Sequence, residues 1–245
     1  MKRLFFIAIA MVMVGCNEKK SDICFDINAT VSNYVHITRS NDAMMGNVIS
    51  TSVEGGELSM GLSLFGESDC SVLSVYNNDQ YASRYRQLQS KFSDNNPNAS
   101  TYRYYKNSKV DNGWRVESGD CIYYCLSDKI SKIDITSDRA WGEGYPAGAS
   151  LNELFTIQFT TLYDYVQRGF TGAPASQYKQ VLSDVNPDYY ALLSLGTIDR
   201  HLDVENIFLS STTLPSDYKE HNIKVSITLD TEEVIEYTAP LSSTL

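Results

Sequence analysis

The sequence carries no surplus of positive charge: 20 Lys and Arg stand against 30 Asp and Glu, for a net charge of −10 over 245 residues. A chain without basic excess has little with which to displace counterions from a phosphate backbone, so nucleic acid is not expected as a partner. Histidine is scarce, and His36, His201 and His221 lie far apart with no H-E-x-x-H among them, which argues against a zinc hydrolase. There is no G-x-x-x-x-G-K-[ST] and no G-x-S-x-G; Gly56-Glu57-Leu58-Ser59-Met60-Gly61 has one residue too many before its serine. Asp111-Asn112-Gly113 and Asp94-Asn95-Asn96 offer oxygen ligands, but neither continues into a D-x-[DN]-x-[DN]-G loop closed by glutamate. A triad through His201 with Asp199 or Asp203 has nothing to select it, and Asp199-Arg200-His201-Leu202-Asp203 reads as a solvated turn. Asp69, Glu232, Glu233 and Glu236 read as surface charges. These absences point away from catalysis and leave no metal or cofactor implied. Proline and glycine are also sparse, at six and 14, and nowhere dense enough to mark a linker between two domains.

What is present starts at the N-terminus. Lys2 and Arg3 precede an apolar run of eleven residues, Leu4 to Val14. That is too short to span a bilayer, which takes about 20 residues, and suits the core of a secretory signal. Met13-Val14-Gly15-Cys16 then resembles the lipobox of bacterial lipoproteins. The resemblance implies cleavage before Cys16, a diacylglyceryl group on its thiol and a further acyl chain such as palmitate on the freed amine. Two or more chains give lasting attachment where one gives only marginal binding. Losing Lys2 and Arg3 with residues 1–15 takes the net charge from −10 to −12. No second apolar stretch approaches the length of a span, so the expected layout is a signal peptide over 1–15, a lipidated tether over 16–22 (Asn17-Glu18-Lys19-Lys20-Ser21-Asp22 is polar throughout) and one domain over 23–245. The expected address is the outer membrane, on the periplasmic or the cell-surface face, with the lipid bilayer as a partner through the acylated N-terminus.

The body reads mainly as strands. Val31–Thr38, Ser71–Tyr76, Trp114–Val116, Ile122–Leu126 and Ile130–Thr136 are short runs of β-branched and aromatic residues. Phe155, Ile157 and Phe159 alternate, as do Ile223, Val225, Ile227 and Leu229 with Lys224, Ser226 and Thr228 between them. Asp230-Thr231-Glu232-Glu233 then turns the chain back through Val234–Thr238, and the adjacent Val234 and Ile235 suggest a bulge. Two helices are predicted: Gln80–Phe92, with Asp79 as cap and an aromatic stripe that reads as core, and Asp188–Leu195, introduced by Asn186-Pro187 and stopped by Gly196. The fold expected is an antiparallel, Ig-like β-sandwich with one or two short helices.

Cys24, Cys70, Cys121 and Cys125 remain after Cys16. Beyond the inner membrane disulfides are allowed, and four cysteines permit three pairings. In a strand Cys121 and Cys125 share a face at about 13 Å, beyond bonding distance, so each is expected to pair with Cys24 or Cys70. The other excess is tyrosine, 17 residues. Tyr102, Tyr104 and Tyr105, with Trp114 and Trp141, are read as lying in or beside loops, where aromatic faces serve a sugar- or protein-binding surface; Tyr123, Tyr124, Tyr163 and Tyr165 read as packing.

Ile133-Asp134-Ile135-Thr136-Ser137-Asp138, followed by Pro146-Ala147-Gly148-Ala149-Ser150-Leu151-Asn152, resembles a family of Bacteroidetes lipoproteins without an assigned activity. The resemblance implies a lipoprotein location and carries no catalytic residue. The expected function is a non-catalytic binding module for a glycan or an envelope protein. A fimbria-like structural or assembly subunit is the alternative, and a hydrolase with an unfamiliar site comes third.

Overall fold

The computed structural model describes residues 24–28, 31–37, 48–64, 66–71, 79–94, 101–106, 114–117, 123–197 and 206–241. It is mainly β, with 48% strand, two α-helices among the described residues, and antiparallel sheets in a sandwich-like arrangement. Of the strand predicted to begin at Ser71, residues 72–76 lie outside the described residues, as do Pro97 and the 199–203 turn.

The chain divides into two compact units, where the sequence reading expects one domain over 23–245. The smaller takes its described residues from Met1–Ile27 and Ser100–Gly119, the larger from Asn28–Ala99 and Asp120–Leu245. Each unit is assembled from two stretches of chain, so their division does not take the form of a single linker that composition could reveal. The smaller is built on a three-stranded sheet of β1 (Cys24–Asn28), β6 (Thr101–Lys106) and β7 (Trp114–Glu117), with β6 central. Tyr104 pairs with Val116 and Lys106 with Trp114. Tyr102, Tyr104 and Tyr105 therefore belong to a strand rather than to a loop, and Trp114 opens the strand expected over Trp114–Val116.

Among its described residues the larger unit holds three sheets. The first runs β11-β10-β13-β4-β3, from β3 (Val48–Glu54), β4 (Glu57–Ser63), β10 (Thr156–Thr161), β11 (Ser176–Val181) and β13 (Ile207–Ser211). The second runs β12-β8-β2-β5, from β2 (Val31–Ile37), β5 (Gly66–Ser71), β8 (Tyr123–Leu126) and β12 (Ser194–Thr197). The third runs β15-β14-β9, from β9 (Ile130–Ser137), β14 (Asn222–Leu229) and β15 (Val234–Pro240). Among the described pairings only β2 with β8 is parallel.

Alternation decides which face each strand buries. Leu58, Met60 and Leu62 of β4, Ile157 and Phe159 of β10, Ile207 and Leu209 of β13, and Ile223, Val225, Ile227 and Leu229 of β14 are all buried, and they join Val35 and Ile37 of β2 in one core shared by the three sheets. Each such side chain contributes about 1.5–3 kcal/mol on leaving water, so the polar residues between them are free to face outward.

Helix α1 (Asp79–Lys91) matches the prediction, with Tyr85, Leu88 and Phe92 buried. Its end is a Schellman motif: the Asp94 N–H bonds the Gln89 carbonyl and the Ser93 N–H that of Ser90. Ser93 occupies the left-handed position, φ +55°, where glycine is usual. The second predicted helix is not formed. Asn186 does cap, accepting the Asp188 N–H, but one 3-10 turn over 187–190 follows and the chain enters β12. Leu192, Leu193 and Leu195 are all buried; the Leu193 carbonyl accepts the Leu126 N–H and Ser194, Gly196 and Thr197 pair with β8, a ladder that a helix continuing there would lose. An unforeseen α2 (Tyr163–Gln167) sits instead after β10. The bulge is also displaced. Register across β14–β15 runs unbroken through Thr228–Val234 and Ile227–Ile235, and the irregularity falls between Thr228 and Leu229 against β9. Val234 is only half-buried beside Ile235, so the two adjacent apolar residues need no extra one.

Candidate functional site

Five separate segments meet at a cleft of about 440 Å³ in the larger unit. The end of α1 contributes Lys91, Phe92 and Ser93; the β8–β9 connection Lys129; α2 Tyr163; the 3-10 turn Asp188 and the following Leu192; and the β14–β15 turn Asp230. Loops at one end of a sandwich are free to vary in chemistry because the sheets behind them carry the stability.

Each lysine is matched to a carboxylate. Lys91 Nζ lies 2.8 Å from Asp230 Oδ2 and donates to the Ser127 carbonyl at 3.1 Å. Lys129 Nζ pairs with Asp188 Oδ1. Asp230 is itself anchored, its Oδ1 accepting the Lys129 N–H at 3.2 Å while its own N–H donates to the Lys129 carbonyl at 2.8 Å. The aromatic wall is equally fixed. Tyr163 stands edge-on to Tyr189 at 5.6 Å, Tyr189 stacks on Tyr178 at 4.5 Å, and Tyr178 on the buried Phe159 at 5.5 Å. Burial, then a hydrogen bond and charge from Asp164, push the Tyr178 hydroxyl well above its ordinary pKa, so it stays a proton donor at physiological pH.

Two lining residues hold backbone conformations that L side chains seldom adopt: Ser93 and Leu192, both at φ +55°. Such residues cost roughly 1–2 kcal/mol each and gather where a site needs a fixed shape. Leu192 is held by its surroundings. The Leu162 N–H donates to its carbonyl, the Thr161 hydroxyl donates to the carbonyl of Ala191, and the side chain is buried.

A second constellation has the composition of a hydrolytic triad. Ser137 Oγ and His221 Nδ1 are 2.8 Å apart, and His221 Nε2 lies 3.2 Å from Asp217 Oδ1. Its surroundings give it the bonding of a structural clasp. Ser137 is 3% exposed and His221 1%, so the pair is nearly closed to solvent, although Ser137 borders a depression of about 550 Å³. The nearby Gly148 and Asp138 N–H groups are spent on the carbonyls of Ser137 and Asn222, leaving neither to stabilise an oxyanion. The clasp instead ties β9 to the start of β14, beside a second tie in which Asp138 accepts from the Asn222 N–H and side chain.

Both carboxylates are acidified by these bonds. Asp138 is held below its ordinary pKa first by the Asn222 N–H and then by its amide, Asp217 first by the hydrogen bond from His221. A depressed folded-state pKa contributes stability that is present above the unfolded value, near 4, and is lost as pH falls through the folded one. Denaturant midpoints are accordingly expected to hold from pH 7 to about 5 and to fall below about pH 4. In the Asp217→Asn, Asp138→Asn double variant the acid limb should be shallower; an unchanged limb would remove these two groups as its cause.

The remaining candidates fall elsewhere. His36 Nδ1, on β2, meets the carboxylate of the buried Asp128 at 2.6 Å, and neither residue lines the cleft. Trp141 is buried, 3% exposed, and so is not a ligand platform. Cys125 is a buried free thiol, which corrects the expected pairing. Register explains it: on β2, Tyr34 pairs with Cys125 on one side and with Cys70 on the other. Cys70 and Cys125 are thus two strands apart, about 10 Å, where a disulfide needs Cα atoms within about 7 Å. Burial also pushes the Cys125 thiol well above its ordinary pKa, so it is unreactive. Cys24 lies on β1, while Cys16, Cys121, His201, Asp199 and Asp203 fall outside the described residues. Among the described residues no group of three or more His, Cys, Asp or Glu is placed to hold a metal ion.

Lys91, Lys129, Asp188 and Asp230 are not a set that the sequence singles out, and no local signal exists to do so: Lys129 meets partners 59 and 101 positions away. Set beside known proteins, no family model, no curated protein and no solved structure matches the chain.

Proposed function

We propose that the chain is a lipid-anchored envelope protein that binds a neutral, hydroxyl-rich glycan in the cleft and does no chemistry on it. One observation carries the ligand class: the cleft's two ammonium groups are each already matched by a carboxylate. A charged ligand must compete with the carboxylate or ammonium already in place, and since both pairs are partly exposed this costs up to about 1 kcal/mol per pair. A polyol breaks nothing. An ammonium has three N–H donors and a carboxylate about four acceptor positions, so the paired groups retain capacity for hydroxyls while the ring of Tyr163 offers an apolar face. A cleft of about 440 Å³ has the scale of a small-ligand site. The anchoring half of the reading rests on Lys2, Arg3, the Leu4–Val14 run and Cys16.

The assembly-subunit alternative calls for an exchangeable terminal strand and an open sheet edge. The last described strand, β15, stands at a sheet edge but is paired with β14 over seven residues, and β1, also at an edge, lies beside β6, so neither is free to exchange without breaking a ladder. These pairings favour the binding reading.

The test is a glycan array carrying neutral and acidic oligosaccharides, followed by calorimetry on the hits. The comparison is the Lys129→Met, Asp188→Leu double variant, which removes a half-exposed pair whose loss costs little stability. Wild-type protein should bind neutral sugars and the variant at least about tenfold more weakly, or 1.4 kcal/mol. Equal binding by the two, or capture of acidic glycans alone, would overturn the assignment.

A further inference from the structure

We propose that the outer face of the five-stranded sheet, centred on Phe208, is a second glycan-binding surface, taking an internal stretch of a neutral polysaccharide laid across the strands. It rests on the glycan reading above for its ligand class but on none of the cleft's residues. Phe208 and Val181 are the exposed large hydrophobic side chains among the described residues, at 45% and 37% exposure, and both belong to this one face. Pairing places two rows across the sheet. One runs Lys179, Gln158, Phe208, Gly61, Ser50; the other runs Val181, Thr156, Ser210, Ser59, Ser52. The rows border a shallow depression of about 400 Å³. Opposite Phe208, Gly61 brings no side chain against the ring and is itself buried, and Phe208 keeps 45% of its surface exposed for a stacking partner.

The composition of the rows selects the occupant. In a chain with 30 acidic residues, neither row contains one, and Lys179 at the β11 edge is their single charge. Around the aromatic ring the other members are hydroxyls, one amide, Val181 and Gly61. That pairing of a π-face with flanking hydrogen-bonding groups suits the C–H face and equatorial hydroxyls of a pyranose. Size disfavours a protein partner or a second copy. Five strands at about 4.8 Å and two rows about 7 Å apart cover roughly 300 Å², against about 800 Å² per partner in a stable protein interface. One polysaccharide chain needs no more than the two rows supply. A depression open along the sheet admits the middle of a chain, whereas a cleft walled by five segments favours a short piece or an end.

Affinity electrophoresis in gels containing xylan, mannan, mixed-linkage β-glucan or starch tests this, with polygalacturonate as the acidic comparator. Wild-type protein should be retarded by at least one neutral polymer. Phe208→Ala should raise the dissociation constant on that polymer at least about tenfold, and Phe208→Tyr, which keeps the ring, should stay within about threefold. The Lys129→Met, Asp188→Leu variant should keep the Phe208-dependent retardation, so that failure of the cleft and failure of the sheet face register separately. Phe208→Ala indistinguishable from wild type on every neutral polymer would overturn the proposal, as would no retardation by any of them. Retardation by polygalacturonate alone, abolished by Lys179→Ala, or a Phe208-dependent dimer in sedimentation would do the same.

Discussion

Replacing Trp141 with alanine is expected to cost about 3–5 kcal/mol of stability while leaving sugar binding by the folded protein unchanged. The indole is a plug, not a platform. Its Nε1 donates to the Thr213 carbonyl at 2.9 Å, its ring meets His221 edge-on at 5.4 Å, and Phe155 lies 6.2 Å away. Its backbone N–H bonds the Tyr145 carbonyl, and the Tyr145 N–H returns to Gly142, so the same residue closes the turn that leads out of β9. Alanine would leave a cavity beneath that turn and remove the edge contact from the buried His221 clasp. For a unit of this length the melting temperature should fall by about 6–20 °C. Trp141→Phe keeps much of the ring contact and loses the hydrogen bond to Thr213, at about 1–3 kcal/mol. The measurement is calorimetric melting of both variants beside glycan binding at a temperature where each is folded. A Trp141→Ala protein that melted with wild type but no longer bound sugar would restore the ligand role assigned from sequence.

Trp141 shows where sequence reading gives out. An indole beside Gly142, Glu143, Gly144 and Pro146 has the local signature of an exposed loop, and the Gly142–Tyr145 bridge confirms a turn. Whether the ring points in or out depends on Phe155, Thr213 and His221, which are distant in sequence. Strands with one buried face fare better. Ile223, Val225, Ile227 and Leu229 announce their own face because the period of two is local information, and β9, β10 and β14 stand where the alternation puts them. The β3–β4 hairpin is equally legible, yet the sequence reading treats its residues only as a failed nucleophile motif. Gly55-Gly56, at φ +61° and +86°, is the two-residue turn that type I′ geometry demands, and Leu58, Met60 and Leu62 alternate after it. The predicted 188–195 helix fails differently. Asn186, Pro187 and Gly196 carry start and stop signals, and the start signal is obeyed for one turn, but the long-range pairing of Ser194 with Cys125 outweighs a propensity worth tenths of a kcal/mol per residue. Neither candidate glycan surface has a local signature. The cleft joins groups from five segments, and the face around Phe208 comes into being only when β13 is laid between β10 and β4.

Changing Cys16 to alanine, with residues 1–15 replaced by a secretory signal that is cleaved independently of the lipobox and the protein expressed in a bacterium that matures lipoproteins, is expected to move the protein completely from the membrane to the soluble fraction. Each buried methylene of an acyl chain contributes about 0.8 kcal/mol, one chain alone binds only marginally, and two or more hold. What is left without them is weak. Lys19 and Lys20 supply about 1 kcal/mol each toward an anionic surface, the body beyond them is strongly acidic, and among the described residues no helix is long and apolar enough to cross a membrane. The wild-type protein should therefore resist extraction by high salt and alkaline carbonate, which break electrostatic contacts and spare acyl ones. The variant should be released even in low salt and should no longer incorporate labelled palmitate. Its body should melt as wild type does, because position 16 precedes β1 and every core residue named above. If Cys16→Ala remains in the carbonate-washed membrane, the acyl anchor is wrong. The two glycan surfaces would then have to be tested on a protein held to the envelope by some other contact.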